Sequence, residues 1–263
     1  MTTRVRIWQW AVVIAVGLWL VAPSLVVIPL SFTDQDSFQF PPQGWSLKYY
    51  ENFFTAPAWR DALLNSLTIA AQVTLIATVL GIAAAVALVR GRFPGARAVR
   101  SAANAGLMAP MIVPGIVAAV AIYAAFLKWQ LVGTPTGFVL AHTALAVPFV
   151  VVSVSASLSG FNRDLELASA NLGAGALTTF RLVTLPLILP GVLSGAVFAF
   201  VTSFDEVVVS FFINGPYLTT LPVKMYTSTA NETDPTIAVA STVILTVTTA
   251  LIVLPQLFRR TSK

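Results

Sequence analysis

Residues 162–181, NRDLELASANLGAGALTTFR, form a polar, mildly charged island between two long apolar runs. Within it Leu165, Ala168, Ser169 and Leu172 recur at i, i+3, i+4 and i+7, the spacing of one helix face. Gly173 follows, where a glycine after a helix C-terminus belongs. A second short helix is predicted from about 175 to 183, with Leu177 and Phe180 on a common face, and the prolines of TLPLILPG end it. Two short helices set at an angle by a glycine lie at the membrane surface and can be gripped by a soluble partner. A re-entry loop with incidental helicity is the plainer reading of the same residues.

The flanking runs set the class. Of the 263 residues 57% are hydrophobic and 10% charged, against roughly 25% charged in a soluble domain. Apolar runs of this length mark an integral membrane protein. They are continuous rather than alternating, so they predict helices and not a barrel. The expectation is an all-α membrane protein with six transmembrane helices, at about 7–31, 62–89, 104–127, 134–158, 186–212 and 237–258. They form a single transmembrane domain spanning 1–263, with the loop 159–185 between spans four and five. No repeat, low-complexity tract or soluble domain stands out. The absence of cysteine removes disulfides and thiolate metal sites. MTTRVR before an apolar run resembles a secretory leader, but the run is too long for a signal core and reads as an uncleaved first span. Residues 46–59, SLKYYENFFTAPAW, suit either a short helix at the membrane surface or an ordered loop packed on the bundle.

Orientation comes from the basic residues. With a cytoplasmic N-terminus, Arg4, Arg6, Arg90, Arg92, Arg97, Arg100, Arg163, Arg181, Arg259, Arg260 and Lys263 lie inside, and only Lys48, Arg60, Lys128 and Lys224 outside. The expectation is a multi-pass membrane protein with both termini and the island in the cytoplasm. The net charge of +5 is thereby explained by orientation and does not point to nucleic acid.

The island resembles the cytoplasmic signature loop of ABC importer permeases, which runs Glu-Ala-Ala, three residues, Gly, nine residues, a branched apolar residue, one residue, Leu-Pro. Leu167, Ala168 and Ser169 stand in the first three places, Gly173 is the glycine, Val183 the branched residue and Leu185-Pro186 the ending. Two places differ: Leu167 stands where the glutamate belongs, with Glu166 one residue earlier, and Ser169 replaces the second alanine. The role of a glutamate at 167 therefore does not carry over. NSL at 65–67, SFDEVVVSFF at 203–212 and GPYLTTLP at 215–222 extend the similarity to the second permease of spermidine/putrescine-type importers, whose relatives also serve phosphonates, opines and ferric ion. The resemblance implies a type I importer permease forming half of a pathway for a small solute, a polyamine or similar cation first of all. It implies a second permease (a paralogue or another copy), two ATPase subunits holding ATP and Mg, a periplasmic solute-binding protein and surrounding lipid. It also implies an ATPase-coupling group of Glu166, Leu167, Ala168, Ser169, Asn171, Leu172, Gly173 and Ala174, and a pathway or gate group of Asn65, Ser203, Asp205 and Glu206. The chain has no GxxxxGK[ST] phosphate loop, so hydrolysis must come from another subunit and no cofactor is expected here.

Asp205 and Glu206 interrupt an apolar run. Pro186 to Asp205 is about 28 Å of helix at ~1.5 Å per residue, which sets the pair toward the outer end of the fifth span. An acidic group there would attract a cation; an interfacial acid paired with Lys224 or seating the binding protein is the structural alternative. Which of the two faces the pathway is left open, since neighbours on a helix diverge by about 100°. A secondary transporter would call for repeats and ionisable residues at mid-membrane. A membrane enzyme would call for a nucleophile, base or metal cluster. His142, the single histidine, has no metal-ligand company in sequence and reads as packed or pore-facing. Pro110, Pro114 and Pro148 read as structural.

Overall fold

The computed structural model describes residues 2–91, 96–231 and 234–260. Of the basic residues used for orientation, Arg92 and Lys263 lie outside these, as do the side chains of Arg4, Arg6, Arg97, Arg259 and Arg260. The described chain is helical: α1 (Thr2–Leu30), α2 (Lys48–Thr55), α3 (Pro57–Arg90), α4 (Ala96–Ile112), α5 (Gly115–Trp129), α6 (Pro135–Gly160), α7 (Asp164–Asn171), α8 (Ala176–Thr179), a π turn over Phe180–Thr184, α9 (Leu185–Phe204), α10 (Val208–Ile213), α11 (Leu221–Asn231) and α12 (Thr236–Arg260).

The all-α membrane class stands, but six spans do not. Among the described residues four helices are long and apolar enough to cross a bilayer: Trp8–Leu30, Pro57–Arg90, Pro135–Gly160 and Ala176–Phe204. A fifth is reached only if Ala98–Ile112 and Gly115–Trp129, bent by 103°, count as one. The expected straight third span breaks at Pro114, which lacks an N–H and biases the residue before it away from helix. The expected sixth span is not among them: α12 runs Thr236–Arg260, and among the described residues its apolar stretch is Thr236–Leu251. That segment is also rich in threonine, and Thr242, Thr246 and Thr248 turn their hydroxyls back onto carbonyls four residues earlier.

The chain divides into two compact units, Ala62–Val223 and Met1–Asp61 with Lys224–Lys263. In the first, α6 packs along α9, with Val150, Val154, Leu158, Ile188 and Ala199 fully buried. Small residues permit the close approach. A Cβ on Gly195 would sit 3.0 Å from the Cα of Val150, and one on Gly191 would collide with Ser157 and the Ser153 carbonyl. This is the packing that lipid favours, where apolar surface alone gives helices no reason to associate. In the second unit α1 and α2 each pack on α12. The aromatic segment resolves into α2 with Tyr49 and Phe53 buried. Trp59 Nε1 donates to Asp234 at 3.1 Å and Asn52 Nδ2 to Thr236 at 2.8 Å, so the segment is a short helix tied to the start of α12.

Candidate functional site

The polar island is a helix, a left-handed glycine and the start of a span. Helix α7 ends at Asn171, and Gly173 takes φ +85°, the conformation a helix stop wants and a side chain resists. The expected second short helix is not separate. Helix α8 passes through the π turn into α9, so Ala176–Phe204 is one continuous helix. The wide turn lies just ahead of Pro186, and Leu185 N–H reaches back five residues to Phe180. A proline ring clashes with the carbonyl four residues before it, and a π turn widens the helix at that point.

Helix α7 has no buried residue. Leu165, Leu167 and Leu172 are exposed, Leu172 at 89%, and Ala168, Asn171 and Gly173 are exposed with them; Ala174 is half-buried. So short a helix thus keeps its leucines in the open, on more than one side. Two residues of the group turn the other way. Ser169 Oγ lies 3.0 Å from Thr179 Oγ1, which closes the angle between α7 and α8. Glu166 is half-buried: its Oε2 lies 3.1 Å from Arg90 Nε, and its Oε1 accepts from Thr184 Oγ1 at 2.8 Å.

At the far end of α9 the helix stops at Phe204, so the expected span of about 186–212 is broken at the acidic pair. Asp205 caps α9 and is exposed. Glu206 Oε1 accepts from Val209 N–H at 2.7 Å and so starts α10, a carboxylate at a helix N-terminus. Beyond the end of the span, burial pushes the Asp205 carboxyl above its ordinary value. It raises Glu206 too, opposed by the Val209 and Val208 N–H bonds and reinforced by the Asp205 charge. Among the described residues the ion pairs are Lys48–Asp36, Arg60–Asp61 and Arg90–Glu166, so neither acid has a basic partner there. Lys224 lies over the Trp59 ring, 5.2 Å from its centroid.

Ser203 and Asn65, expected with the acidic pair, are each held by hydrogen bonds to other parts of the chain. Ser203 is buried against His142, whose Nδ1 lies 2.9 Å from Ser203 Oγ and whose Nε2 lies 2.9 Å from Ser210 Oγ. One imidazole thus ties α6 to both sides of the break. Asn65 Nδ2 donates to the Thr219 carbonyl at 3.1 Å, and Ser66 Oγ accepts from Leu221 N–H at 2.7 Å. These two clamp the 214–220 loop, at whose tip Tyr217 is 98% exposed. Sequence reasoning missed this clamp and the Arg90 contact, because each joins residues more than 65 positions apart; the motif NSL was the available signal for the first. Among the described residues no group of His, Asp or Glu could hold a metal.

The fold is thus a helical membrane scaffold with a helix pair bent at proline, a glycine-stopped loop helix and spans packed through small residues. The family model for the binding-protein-dependent transport system inner membrane component matches residues 77–263. The chain belongs to that family and is a permease subunit of an ABC importer, multi-pass in the membrane. It is 34% identical over 253 residues to the spermidine/putrescine transport system permease protein PotC of Haemophilus influenzae, covering 95% of each chain. The putrescine transport system permease protein PotI of Escherichia coli (strain K12) is 32% identical over 245 residues, 90% of this chain and 85% of that one. The molybdenum transport system permease protein ModB of Mycobacterium bovis is 33% identical over 228 residues, 81% of this chain and 82% of that one. The fold matches a bacterial ABC transporter involved in the import of the acidic polysaccharide alginate, at TM-score 0.71 and 12% identity over 98% of both chains.

Proposed function

We propose that this permease passes a polyamine-like cation, and that Asp205 and Glu206 attract it at the end of α9. Overall identity does not separate solutes, since relatives named for polyamines and for molybdenum stand at 32–34%. The acidic pair carries the reading. Two carboxyls sit side by side, partly desolvated and without a basic partner among the described residues, and a passing cation would supply the missing charge. Asp205 is the exposed member and is assigned to the pathway, while Glu206 is engaged in starting α10.

The importer form of the family entails a permease pair, ATPase subunits and a binding protein. For this chain the partners proposed are a second permease, two ATPase subunits docked on α7 and its counterpart, and a periplasmic solute-binding protein. The exposed leucines of α7 and the positive φ of Gly173 support α7 as the docking helix. The basic residues Arg90, Arg163 and Arg181 support a cytoplasmic loop 159–185, and Arg4 and Arg6 a cytoplasmic N-terminus; the side of the C-terminus turns on α12.

Asp205→Asn tests the solute. It removes the charge with little change of shape, and spermidine uptake into vesicles holding the whole transporter should fall several-fold while assembly and binding-protein docking persist. Undiminished spermidine uptake in that variant would refute the role of Asp205, and a wild-type transporter that moves an anion instead would refute the cation reading itself.

A further inference from the structure

Glu166 is the one carboxylate of α7 that turns inward, and what it meets is a junction. Its Oε2 pairs with Arg90 Nε at 3.1 Å, in a geometry that is ionic rather than a directed hydrogen bond. Arg90 is the last residue of α3. Its Nη2 donates to the Leu158 carbonyl near the end of α6 at 3.0 Å, and its guanidinium lies over the Phe161 ring, 4.9 Å from the centroid. The other carboxylate oxygen takes the Thr184 hydroxyl at 2.8 Å, from the last residue of the π turn that leads into α9. Both charged side chains are largely covered, at 19% and 17% exposure, and Thr184 is buried. One acid on the loop helix therefore meets the ends of α3 and of the π turn into α9 directly, and the end of α6 through Arg90.

Resting on the reading of α7 as the ATPase-docking helix, we propose that Glu166 is a positioning residue that transmits displacement of α7 to α3, α6 and α9 through Arg90 and Thr184. The outer face of α7 and its inner face then have separate work. Asp164, Ala168 and Asn171, opposite Glu166 on the helix, are exposed and free for the ATPase, with Leu165 and Leu167 exposed at the flanks, and Glu166 is held by the permease. Nothing else in α7 has a comparable grip: Ser169 reaches only Thr179, at the start of the same continuous helix that holds Thr184. The mechanical logic is that of a charged pair in low-dielectric surroundings. Removing one partner leaves the other buried and unpaired, so the joint resists separation when α7 is pulled. The π turn adds a place to yield, since a wide turn is a weaker section of helix than the α segments on either side.

The test separates transmission from docking and needs no knowledge of the solute. The wild-type transporter with its ATPase subunits, and the variants Glu166→Gln, Arg90→Gln and the exchange Arg90→Glu with Glu166→Arg, are purified in nanodiscs. Hydrogen exchange is read with and without ATP and vanadate. In the wild type, trapping should alter amide exchange both in 164–172 and at the inner ends of α3, α6 and α9. In Glu166→Gln and Arg90→Gln the ATPase subunits should remain bound and the loop response should persist, while the response in the spans falls several-fold; the exchange variant should recover part of it. An unchanged span response in Glu166→Gln would overturn the proposal, as would loss of the ATPase subunits from it, which would make Glu166 a docking residue. Failure of the wild type to bind ATPase subunits would refute the docking reading of α7 instead.

Discussion

His142→Leu should destabilise the transporter while leaving its helices inserted. The imidazole is 1% exposed and bridges Ser203 and Ser210 at 2.9 Å each, with the Phe138 ring packed edge-on at 5.8 Å. Leucine fills a similar volume, so the loss is two side-chain hydrogen bonds between elements that meet at the α9–α10 break. Such bonds average about 0.6 kcal/mol in membrane proteins and reach about 1.7 kcal/mol, which puts the pair at roughly 1–3 kcal/mol. Each serine can recover part of this by turning back onto a carbonyl of its own helix, so about 2 kcal/mol is a fair centre. At roughly 2–4 °C per kcal/mol for a domain of this size, the midpoint should fall by about 4–8 °C. Thermal melting of the purified transporter, followed by fluorescence-detected gel filtration, reads this directly. Adding Ser203→Ala and Ser210→Ala to His142→Leu removes the orphaned hydroxyls and should recover part of the drop. A variant that melts with the wild type would show that the imidazole is a spectator at the break and not its fastening.

Gly173 separates backbone strain from crowding, because a Cβ there meets nothing within 4 Å and φ is +85°. Gly173→Val should therefore insert normally but shed its ATPase subunits on purification, whereas Gly173→Asn, which tolerates the left-handed region, should keep them; equal retention would show the glycine stop to be dispensable. Reporter fusions at the N-terminus and within 164–172 should both report the cytoplasm, and one in the 214–220 loop the opposite side. The same side for all three would invalidate the orientation.

Membrane class, helical structure and the family of the loop signature were all readable before any coordinate, because they rest on local pattern: long apolar runs, their lack of alternation, and spacings within twenty residues. The same locality explains the glycine stop at Gly173, where the need for positive φ is a property of one residue. It also explains the misreadings. Span counting by hydrophobicity treats a run as a straight rod, and it passed over the 103° bend at Pro114 and the stop at Asp205. Whether a proline bends a helix or is absorbed by it depends on what packs around the freed carbonyl. Pro148 lies inside α6, which stays one span, while Pro114 starts a new helix. Side-chain roles were the least readable. The partners of the candidate residues lie far off in sequence: Glu166 meets Arg90, Ser203 meets His142, and Asn65 grips a loop backbone more than 150 residues away. A sequence states which groups can donate, accept or carry charge. Which of them meet is set by the packing of α3, α6 and α9, since a few ångströms of helix rotation or shift decide whether a carboxylate reaches a guanidinium, a hydroxyl or water.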